Sequence, residues 1–423
     1  MLPPALRHRR YRLLWLGLMV SIAGTQMQSA AILWHVNEIS GLPIALGMVG
    51  LVRILPVFGF SLMAGVAADV FNRRQVLFLT QSFLALLAMS LGLLTDRGLD
   101  RLWVVYAVTA ASSAVASFDL PARQALVPNL VPAEVLTNAF SLNSIAFEVG
   151  AILGPALGGL VLAHLGLAYA YWINAFSYLA VIAALLLMGP VPQARIAGAP
   201  PSPEVSMPWA HLRDSIREGM RFVGHQPIIL SSMLLDFFAT FFSSASFLLP
   251  IFAKQILGVG AIGYGWLVAA PAIGAGSVAT VIALYAQPIR RQGGVLLTAV
   301  VGFGLATVVF GLSRQFWLTL AALVLTGATD AVSTIIRNTV RQLQTPDRLR
   351  GRMTSVNQLF FMGGPQLGEL EAGLVAQWLG PVFSVVSGGI GCLLAAALIA
   401  ARFPQLGRYD GAEVGAAGPA ETS

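Results

Sequence analysis

Twelve apolar stretches, separated by short polar breaks, constrain this chain more than any other feature. Each is close to the roughly 20 residues that an α-helix needs to cross the hydrocarbon core of a bilayer. The predicted spans are 13–36, 44–68, 76–95, 102–122, 138–163, 167–189, 228–252, 262–285, 294–312, 316–338, 353–378 and 382–402. We therefore predict an all-α integral membrane protein with twelve transmembrane helices in two pseudo-symmetric six-helix bundles.

The composition excludes a water-soluble globule. The 423 residues are 57% hydrophobic and only 10% charged, whereas soluble domains carry roughly 25% charged residues. The one cysteine, Cys392, lies in an apolar run, which excludes an intrachain disulfide and a Cys-rich metal site. The net charge of +7 is spread over short loops, so nucleic acid is not an expected partner.

A polar interval divides the chain into four predicted regions. They are an N-terminal six-helix bundle at 1–189, a cytoplasmic linker at 190–225, a C-terminal six-helix bundle at 226–402 and a disordered cytoplasmic tail at 403–423. In the linker, apolar and arginine residues alternate at helical spacing and predict an amphipathic helix at the membrane surface; the alternative is a linker helix with no binding role. The apolar residues are Leu212, Ile216, Met220 and Val223, and the arginines are Arg213, Arg217 and Arg221.

Arginine placement predicts the orientation. With both termini in the cytoplasm, nearly all arginines fall in cytoplasmic segments, as the positive-inside rule requires. The opposite face receives Arg97, Arg101, Lys254 and Arg314.

An internal repeat supports the six-plus-six division. A shift of 214 residues superimposes the end of span four and span five on the end of span ten and span eleven. Parallel repeats of this kind are typical of transporters with a substrate site between two halves. The matched pairs are Arg123/Arg337, Pro132/Pro346, Ser141/Ser355, Asn143/Asn357, Phe147/Phe361, Gly150/Gly364, Gly154/Gly368 and Gly159/Gly373.

The loop between spans two and three carries a recognisable motif. Gly65, Asp69, Arg73 and Arg74 match the pattern Gly-x-x-x-Asp-x-x-x-Arg-Arg, which resembles the signature loop of the major facilitator superfamily. Val70 and Asn72 depart from that pattern. The resemblance implies a secondary transporter that works by alternating access.

Span five resembles the antiporter motif of drug exporters in the same superfamily, on Gly150, Gly154, Pro155, Gly158 and Gly159. The resemblance implies export over uptake. The alternative is tight helix packing alone, because small residues four apart let a neighbouring helix approach closely.

Two further stretches, Asp119–Pro132 and Ala23–Gln28, resemble the exporter branch of the superfamily that includes enterobactin exporters and macrolide-efflux proteins. The resemblance implies a cytoplasmic gate. Asp69 would face the start of span eleven near Arg352, and Arg73 or Arg74 would lie near Asp119, with Arg123 in the same region. The alternative is that these charges only fix topology.

Ionisable residues inside spans are candidate proton or substrate sites, because a charge in the bilayer is costly and usually faces an interior cavity. They are Arg53, Glu148, Asp236, Asp330, Glu369 and Glu371. Asp236 and Asp330 are the candidates for proton binding, and Arg53 with Glu148 is a candidate ion pair. Structural pairing is the alternative for each. Many proton antiporters of the superfamily carry an arginine in the middle of span four, and this chain has none between Trp103 and Ser117.

Amide side chains are expected to supply polar contacts to a cavity, or alternatively hydrogen bonds between helices. They are Gln26, Gln28, Asn143, Asn174 and Asn357. His35 and Glu38, near the outer end of span one, are predicted to be interfacial residues reached by water.

No phosphate-binding loop, nucleophile arrangement or metal-ligand spacing occurs in the sequence, so we expect no enzyme, cofactor or metal. The prediction is a monomeric secondary transporter of the bacterial cytoplasmic membrane. Its partners would be a small, amphiphilic substrate, protons and membrane lipid. A dedicated siderophore or metabolite exporter, an uncoupled facilitator and a non-transporting membrane sensor are the alternatives.

Overall fold

The protein is described here from a computed structural model, which describes residues 3–191, 220–285, 291–346 and 350–410. The described helices occupy the twelve predicted spans. They are α1 (Arg9–Ser40), α2 (Pro43–Val70), α3 (Arg73–Asp96), α4 (Leu102–Leu126), α5 (Leu136–His164), α6 (Leu167–Leu187), α7 (Pro227–Phe242), α8 (Gly260–Tyr285), α9 (Gln292–Leu312), α10 (Phe316–Gln344), α11 (Arg350–Leu379) and α12 (Pro381–Arg402). Eleven described helices are long and apolar enough to cross a membrane, and α11, at 30 residues, has the length as well. The predicted fold class is confirmed.

Helix ends follow the local sequence. Proline opens α2, α7 and α12, where its fixed φ suits the first turn and its missing N–H is not needed. Asn72 caps α3, because its side-chain oxygen accepts from the backbone N–H groups of Arg74 and Gln75 at 3.1 and 3.4 Å. The seventh predicted span differs: α7 ends at Phe242, and short helical turns including a π-helical one at Phe252–Ile256 continue to α8.

The chain forms two compact units. Unit 1 comprises Met1–Pro200 and Leu248–Ala269, and unit 2 comprises Pro201–Phe247 and Ala270–Ser423. In unit 1, α1 packs on α5 and α6, and α3 packs on α4 and α6. In unit 2, α7 packs on α11 and α12, and α9 packs on α10 and α12. The same helix pairs recur six helices later, as the internal repeat of the sequence predicts.

The repeat extends to the turns before α6 and α12. Gly166 and Gly380 lie 214 residues apart and cap these helices with φ of 99° and 93°. With ψ of 170° and 155°, both adopt a backbone conformation that is essentially restricted to glycine.

The structure describes only part of the predicted linker and of the predicted tail. Residues 220–224 are helical, and Val223 is buried with Ile229 and Met233, while the rest of the predicted amphipathic helix lies outside the described residues. In the predicted disordered tail, Pro404–Arg408 forms the short helix α13. Leu406 and Tyr409 are buried in the core of unit 2, so the prediction of disorder is wrong for residues 404–410 because these apolar side chains have a packing surface.

Replacing Gly380 by Ala should destabilise the protein by about 1 to 3 kcal/mol, because a Cβ strains this backbone conformation. The matched control is Gly59→Ala in α2, where an added Cβ meets nothing within 4 Å and alanine is the better helix former. Thermal unfolding of purified protein should show a lower midpoint for Gly380→Ala and an unchanged or higher one for Gly59→Ala. Equal midpoints for the two variants would contradict the backbone argument.

Candidate functional site

The signature loop ties α3 to two neighbouring helices. Arg73 Nη1 donates to the carbonyl oxygen of Ala125 at 3.2 Å, and Arg74 Nε donates to that of Leu185 at 2.9 Å. Both carbonyls lie in the last turn of a helix, where they have no partner within the helix and where positive charge is favourable. The two arginines therefore cap α4 and α6 at their carboxyl ends.

Gly65 and Asp69 lie in the last turns of α2, and their side chains are outside the part of the structure that is described. The expected contact of Asp69 with the start of α11 stays a prediction.

Asp119 has a different cationic partner from the one expected. It forms an ion pair with Arg123, one turn further along α4, rather than with the loop arginines that the resemblance implied. Its Oδ1 also accepts from Thr80 Oγ1 at 3.0 Å and from Gln81 Nε2 at 2.7 Å, both on α3. Because Asp119 is 3% exposed, these bonds are what allow a buried carboxylate on α4.

A polar cavity of about 400 Å³ lies among the helices of unit 1. It brings together Gln26, Gln28, Arg53 and Arg123 with the hydroxyl groups of α1 and α4. The hydroxyl residues are Ser21, Thr25, Ser29, Thr109, Ser112 and Ser113. The Asp119 carboxylate, which pairs with Arg123, also lines this cavity. The guanidinium groups, amides and hydroxyls can bind anionic or carbonyl oxygens by charge-assisted hydrogen bonds.

Part of that lining is used by the fold itself. Gln28 Oε1 accepts from Asn174 Nδ2 at 2.7 Å, and Arg53 Nη2 donates to the carbonyl oxygen of Ser29 at 3.4 Å. Both alternatives for the amides, cavity contact and helix-to-helix hydrogen bond, therefore apply to Gln28.

A second cavity, of about 360 Å³, shares Ile22, Leu120, Arg123 and Phe147 with the first. Its lining includes Asn143 and Glu148. Asn143 Oδ1 accepts from the Tyr11 hydroxyl at 3.0 Å. Arg53 and Glu148, the candidate ion pair, line different cavities.

The glycines of the antiporter-like motif bring α5 against α1. A Cβ on Gly154 would lie 2.5 Å from the carbonyl oxygen of Ala23, and one on Gly150 would lie 2.6 Å from Ile22 Cγ2. The repeat reproduces this contact in unit 2, where Gly364 packs on Phe237 and Thr240. The packing role of these glycines is thus plain in both units.

The end of the motif contacts another element. A Cβ on Gly159 would lie 2.6 Å from the carbonyl oxygen of Ala261 and 3.0 Å from the Cα atom of Gly265, in the first turns of α8. Conversely, a Cβ on Gly265 would lie 2.5 Å from the carbonyl oxygen of Pro155. Gly159 and Gly265 therefore let the start of α8 lie directly against α5.

Unit 2 contains a buried charge cluster. Arg337 Nη2 lies 2.9 Å from Asp236 Oδ1 and 3.7 Å from Asp330 Oδ1. The Arg337 and Asp236 side chains are each 4% exposed, whereas that of Asp330 is 49% exposed. Arg337 also donates to Ser333 Oγ at 2.6 Å and to Thr334 Oγ1 at 2.8 Å. One guanidinium is therefore shared between a buried carboxylate and a half-exposed one.

This cluster corresponds to the Asp119–Arg123 pair in the repeat. Arg337 matches Arg123, and Ser333 stands at the position of Asp119. The carboxylate of unit 2 comes instead from Asp236 on a different helix. The sequence repeat predicts the arginine but gives no sign of this exchange. The remaining candidates, Asn357, Glu369 and Glu371, are all partly buried on α11 of unit 2.

His35 differs from its prediction as a water-reached residue. It is 1% exposed, and its Nε2 and Nδ1 atoms lie 2.8 Å from Asp100 Oδ2 and 2.8 Å from the Tyr171 hydroxyl. Glu38 fits its prediction better, since its side chain is 44% exposed and pairs with Lys254 at 3.0 Å. No spacing rule in the sequence links His35 to Asp100 or Tyr171.

We expect Gly154→Ala to cost about 1 to 3 kcal/mol by overpacking against the α1 backbone. The matched control is Gly158→Ala, whose Cβ would meet the flexible Met27 side chain at 3.1 Å. Thermal unfolding in detergent should therefore rank wild type and Gly158→Ala close together and Gly154→Ala clearly lower. The reverse order would contradict the interpretation that Gly154 is needed for the close packing of α5 on α1.

Comparisons with known proteins agree with this geometry. A family model described as a transmembrane secretion effector of the major facilitator superfamily matches residues 2–416. The chain is 26% identical to the enterobactin exporter EntS of Escherichia coli O1:K1 / APEC over 402 residues, which cover 95% of this chain and 94% of the relative. The same protein of Shigella boydii serotype 18 is similar to the same extent.

Solved structures share the fold. A bacterial homolog of the human lysosomal transporter Spinster, inward-facing and unoccupied, aligns with a TM-score of 0.70 at 16% identity, covering 97% of this chain and 100% of that one. A bacterial homologue of the iron transporter ferroportin in an inward-facing state gives 0.69 at 17% identity, covering 95% and 99%.

The family match spans nearly the whole sequence, and the relatives and the fold are those of transporters and not of enzymes. The chain is a multi-pass membrane protein, and it belongs to the transmembrane secretion effector family of major facilitator superfamily transporters.

Proposed function

We propose that this protein exports a small, amphiphilic molecule from the cytoplasm in exchange for protons. It acts as a monomer in the lipid of the bacterial cytoplasmic membrane, with both termini in the cytoplasm, and its two predicted halves alternate the access of the substrate. Export is supported by the similarity to enterobactin exporters. The arginine distribution of the sequence supports the orientation.

The observation that carries the proton coupling is the sharing of Arg337 between Asp236 and Asp330. A carboxylate that competes for one guanidinium can take up a proton at a small electrostatic cost, because the other carboxylate keeps the cation paired. Asp330 is half-exposed, whereas Asp236 is buried and closer to Arg337. We therefore assign proton binding to Asp330 and a structural pairing role to Asp236.

The substrate site we propose is the polar cavity of unit 1. Its lining holds two guanidinium groups, Arg53 and Arg123, together with the Asp119 carboxylate that pairs with Arg123. The guanidinium groups favour a substrate with acidic or carbonyl oxygens, and we assign the main contact to Arg53 because Arg123 already pairs with Asp119. Dedicated export of a siderophore of the enterobactin kind is the second candidate function, supported by the similarity to enterobactin exporters.

Proton movement in inverted membrane vesicles tests the coupling. With a pH dye in the lumen, wild type should alkalinise the lumen when its substrate is added from a panel of lipophilic cations, macrolides and catecholate siderophores. Asp330→Asn should abolish this signal, with a loss of at least tenfold, while labelled substrate still binds. Transport of labelled substrate without any dye response in wild type would identify an uncoupled facilitator, and no transport of any compound would favour a non-transporting sensor.

The two aspartates should differ in stability. Asp236→Asn leaves the buried Arg337 with a half-exposed partner only, and loss of a buried pair costs about 3 to 5 kcal/mol. Asp330→Asn removes a partly exposed and longer ion pair, worth about 0 to 1 kcal/mol. Thermal unfolding should therefore show a large decrease for Asp236→Asn and little change for Asp330→Asn. If both variants unfold like wild type, the assignment of a structural role to Asp236 fails.

A further inference from the structure

A buried histidine in unit 1 joins three elements that are distant in sequence. His35 lies near the carboxyl end of α1, Asp100 precedes α4, and Tyr171 lies in the second turn of α6. The imidazole lies between the other two side chains, at 2.8 Å from each. None of the cavity or cluster residues discussed above takes part in this arrangement.

The hydrogen bonds favour one protonation state of His35 in this arrangement. A carboxylate only accepts, so Nε2 carries a proton and donates to Asp100. Tyr171 is 0% exposed, and within the described residues the only hydrogen-bond partner shown for its hydroxyl is His35 Nδ1. The hydroxyl proton has an acceptor only if the hydroxyl donates to Nδ1, and Nδ1 is then unprotonated. Every polar atom of the group is satisfied when the imidazole is neutral.

A proton added to Nδ1 reverses this bond. The imidazolium then donates from both nitrogens, and the buried Tyr171 hydroxyl loses its acceptor. A buried hydroxyl without an acceptor is unfavourable, so the protonated form requires the three elements to rearrange. Asp100 offsets only part of this cost, because its side chain is 25% exposed and hence screened by water.

The same turns of α1 hold the segment Leu248–Ala269 of unit 1. Glu38 pairs with Lys254 at 3.0 Å, and the Trp34 and Tyr264 rings lie 5.1 Å apart. The Tyr264 hydroxyl also donates to the carbonyl oxygen of Ala30 at 2.8 Å. A shift of the last turns of α1 would therefore disturb these three contacts together.

Three other charged side chains lie near His35. Glu38 on α1 adds to the negative charge that Asp100 presents to the imidazole. Lys254 is paired with Glu38, and Asp96 accepts from Trp172 Nε1 at 2.7 Å. These groups modulate the charge around the imidazole, but only Asp100 and Tyr171 bond directly to it.

We propose that His35 is a proton-binding site whose protonation from the predicted extracytoplasmic side releases Tyr171 and loosens the contact between α1 and residues 248–269. The proton comes from the outer solution, reaches the imidazole through the exposed part of the Asp100 site, and adds to Nδ1 with no other bond formed or broken. The inference rests on the proposed proton-coupled export, since it adds a second proton site to the same cycle, but its test needs no substrate.

The first measurement is a titration of the protein in lipid nanodiscs with isotope-labelled histidine, followed by NMR. The chain has five histidines, and the His35 signal is the one that disappears in His35→Gln. We expect the His35 midpoint in Tyr171→Phe to move by at least tenfold in proton concentration, because the hydroxyl is the partner of Nδ1 in both protonation states. An unchanged midpoint in Tyr171→Phe would overturn the role of Tyr171.

The second measurement follows the predicted movement. Spin labels at Ile39→Cys and Gln255→Cys, two exposed positions, in a Cys392→Ala background report the separation of α1 from residues 248–269. Between pH 8 and pH 5.5 the labelled protein should show a longer distance population that grows as His35 titrates. His35→Gln, which can still donate to Asp100 but does not titrate, should not show it, whereas His164→Gln at the end of α5 should behave as the labelled parent does.

These results separate the inference from the proposed function. If the distances in His35→Gln follow pH as in the parent, the inference is wrong whether or not the protein transports. If His35 behaves as expected but no compound moves protons in vesicles, the proposed antiport fails and the proton site stands. Tyr171→Phe keeps the shape of the side chain, so its folded yield serves as the control for any loss of protein in His35→Gln.

Discussion

The close approach of α1 and α5 is the contact on which unit 1 depends. In lipid, apolar side chains gain little by leaving their surroundings, so helices are held together by van der Waals packing and hydrogen bonds. Gly150 and Gly154 let the α5 backbone reach the α1 backbone, and the amides and hydroxyls of α1 then lie within reach of α4 and α6. The same close packing recurs in unit 2, where Gly364 of α11 lies against α7. The packing is therefore a property of the repeat and not of one site.

Buried charge is handled differently in the two units. In unit 1 the carboxylate of Asp119 is neutralised by its own helix, through Arg123, and is then hydrogen-bonded to α3. In unit 2 the equivalent arginine, Arg337, is neutralised from another helix by Asp236 and shared with Asp330. A pair within one helix can stay intact when helices move, whereas a pair between helices is sensitive to their separation. The asymmetry supports a coupling role for unit 2 and a substrate role for unit 1.

The helices could be predicted closely because hydrocarbon leaves a spanning segment little choice but a continuous apolar helix. The predicted span 167–189 and the observed α6 at Leu167–Leu187 start at the same residue. The partners of polar side chains could not be predicted, because spacing along the chain does not say which helix faces which. His35 bonds to residues 65 and 136 positions away, and Asp119 pairs one turn along its own helix rather than with the loop arginines.

The segment 404–410, which follows α12, determines where another protein can be fused to this one. The carbonyl oxygen of Tyr409 accepts from the backbone N–H of Gly293 at 3.0 Å, so it satisfies one of the N–H groups that the first turn of α9 leaves open. Leu406 and Tyr409 fill the core beside it. A purification tag or fluorescent reporter that replaces the residues after α12 would leave the first turn of α9 without this acceptor and would expose the apolar surface that Leu406 and Tyr409 cover. A fusion placed after residue 410 keeps both contacts.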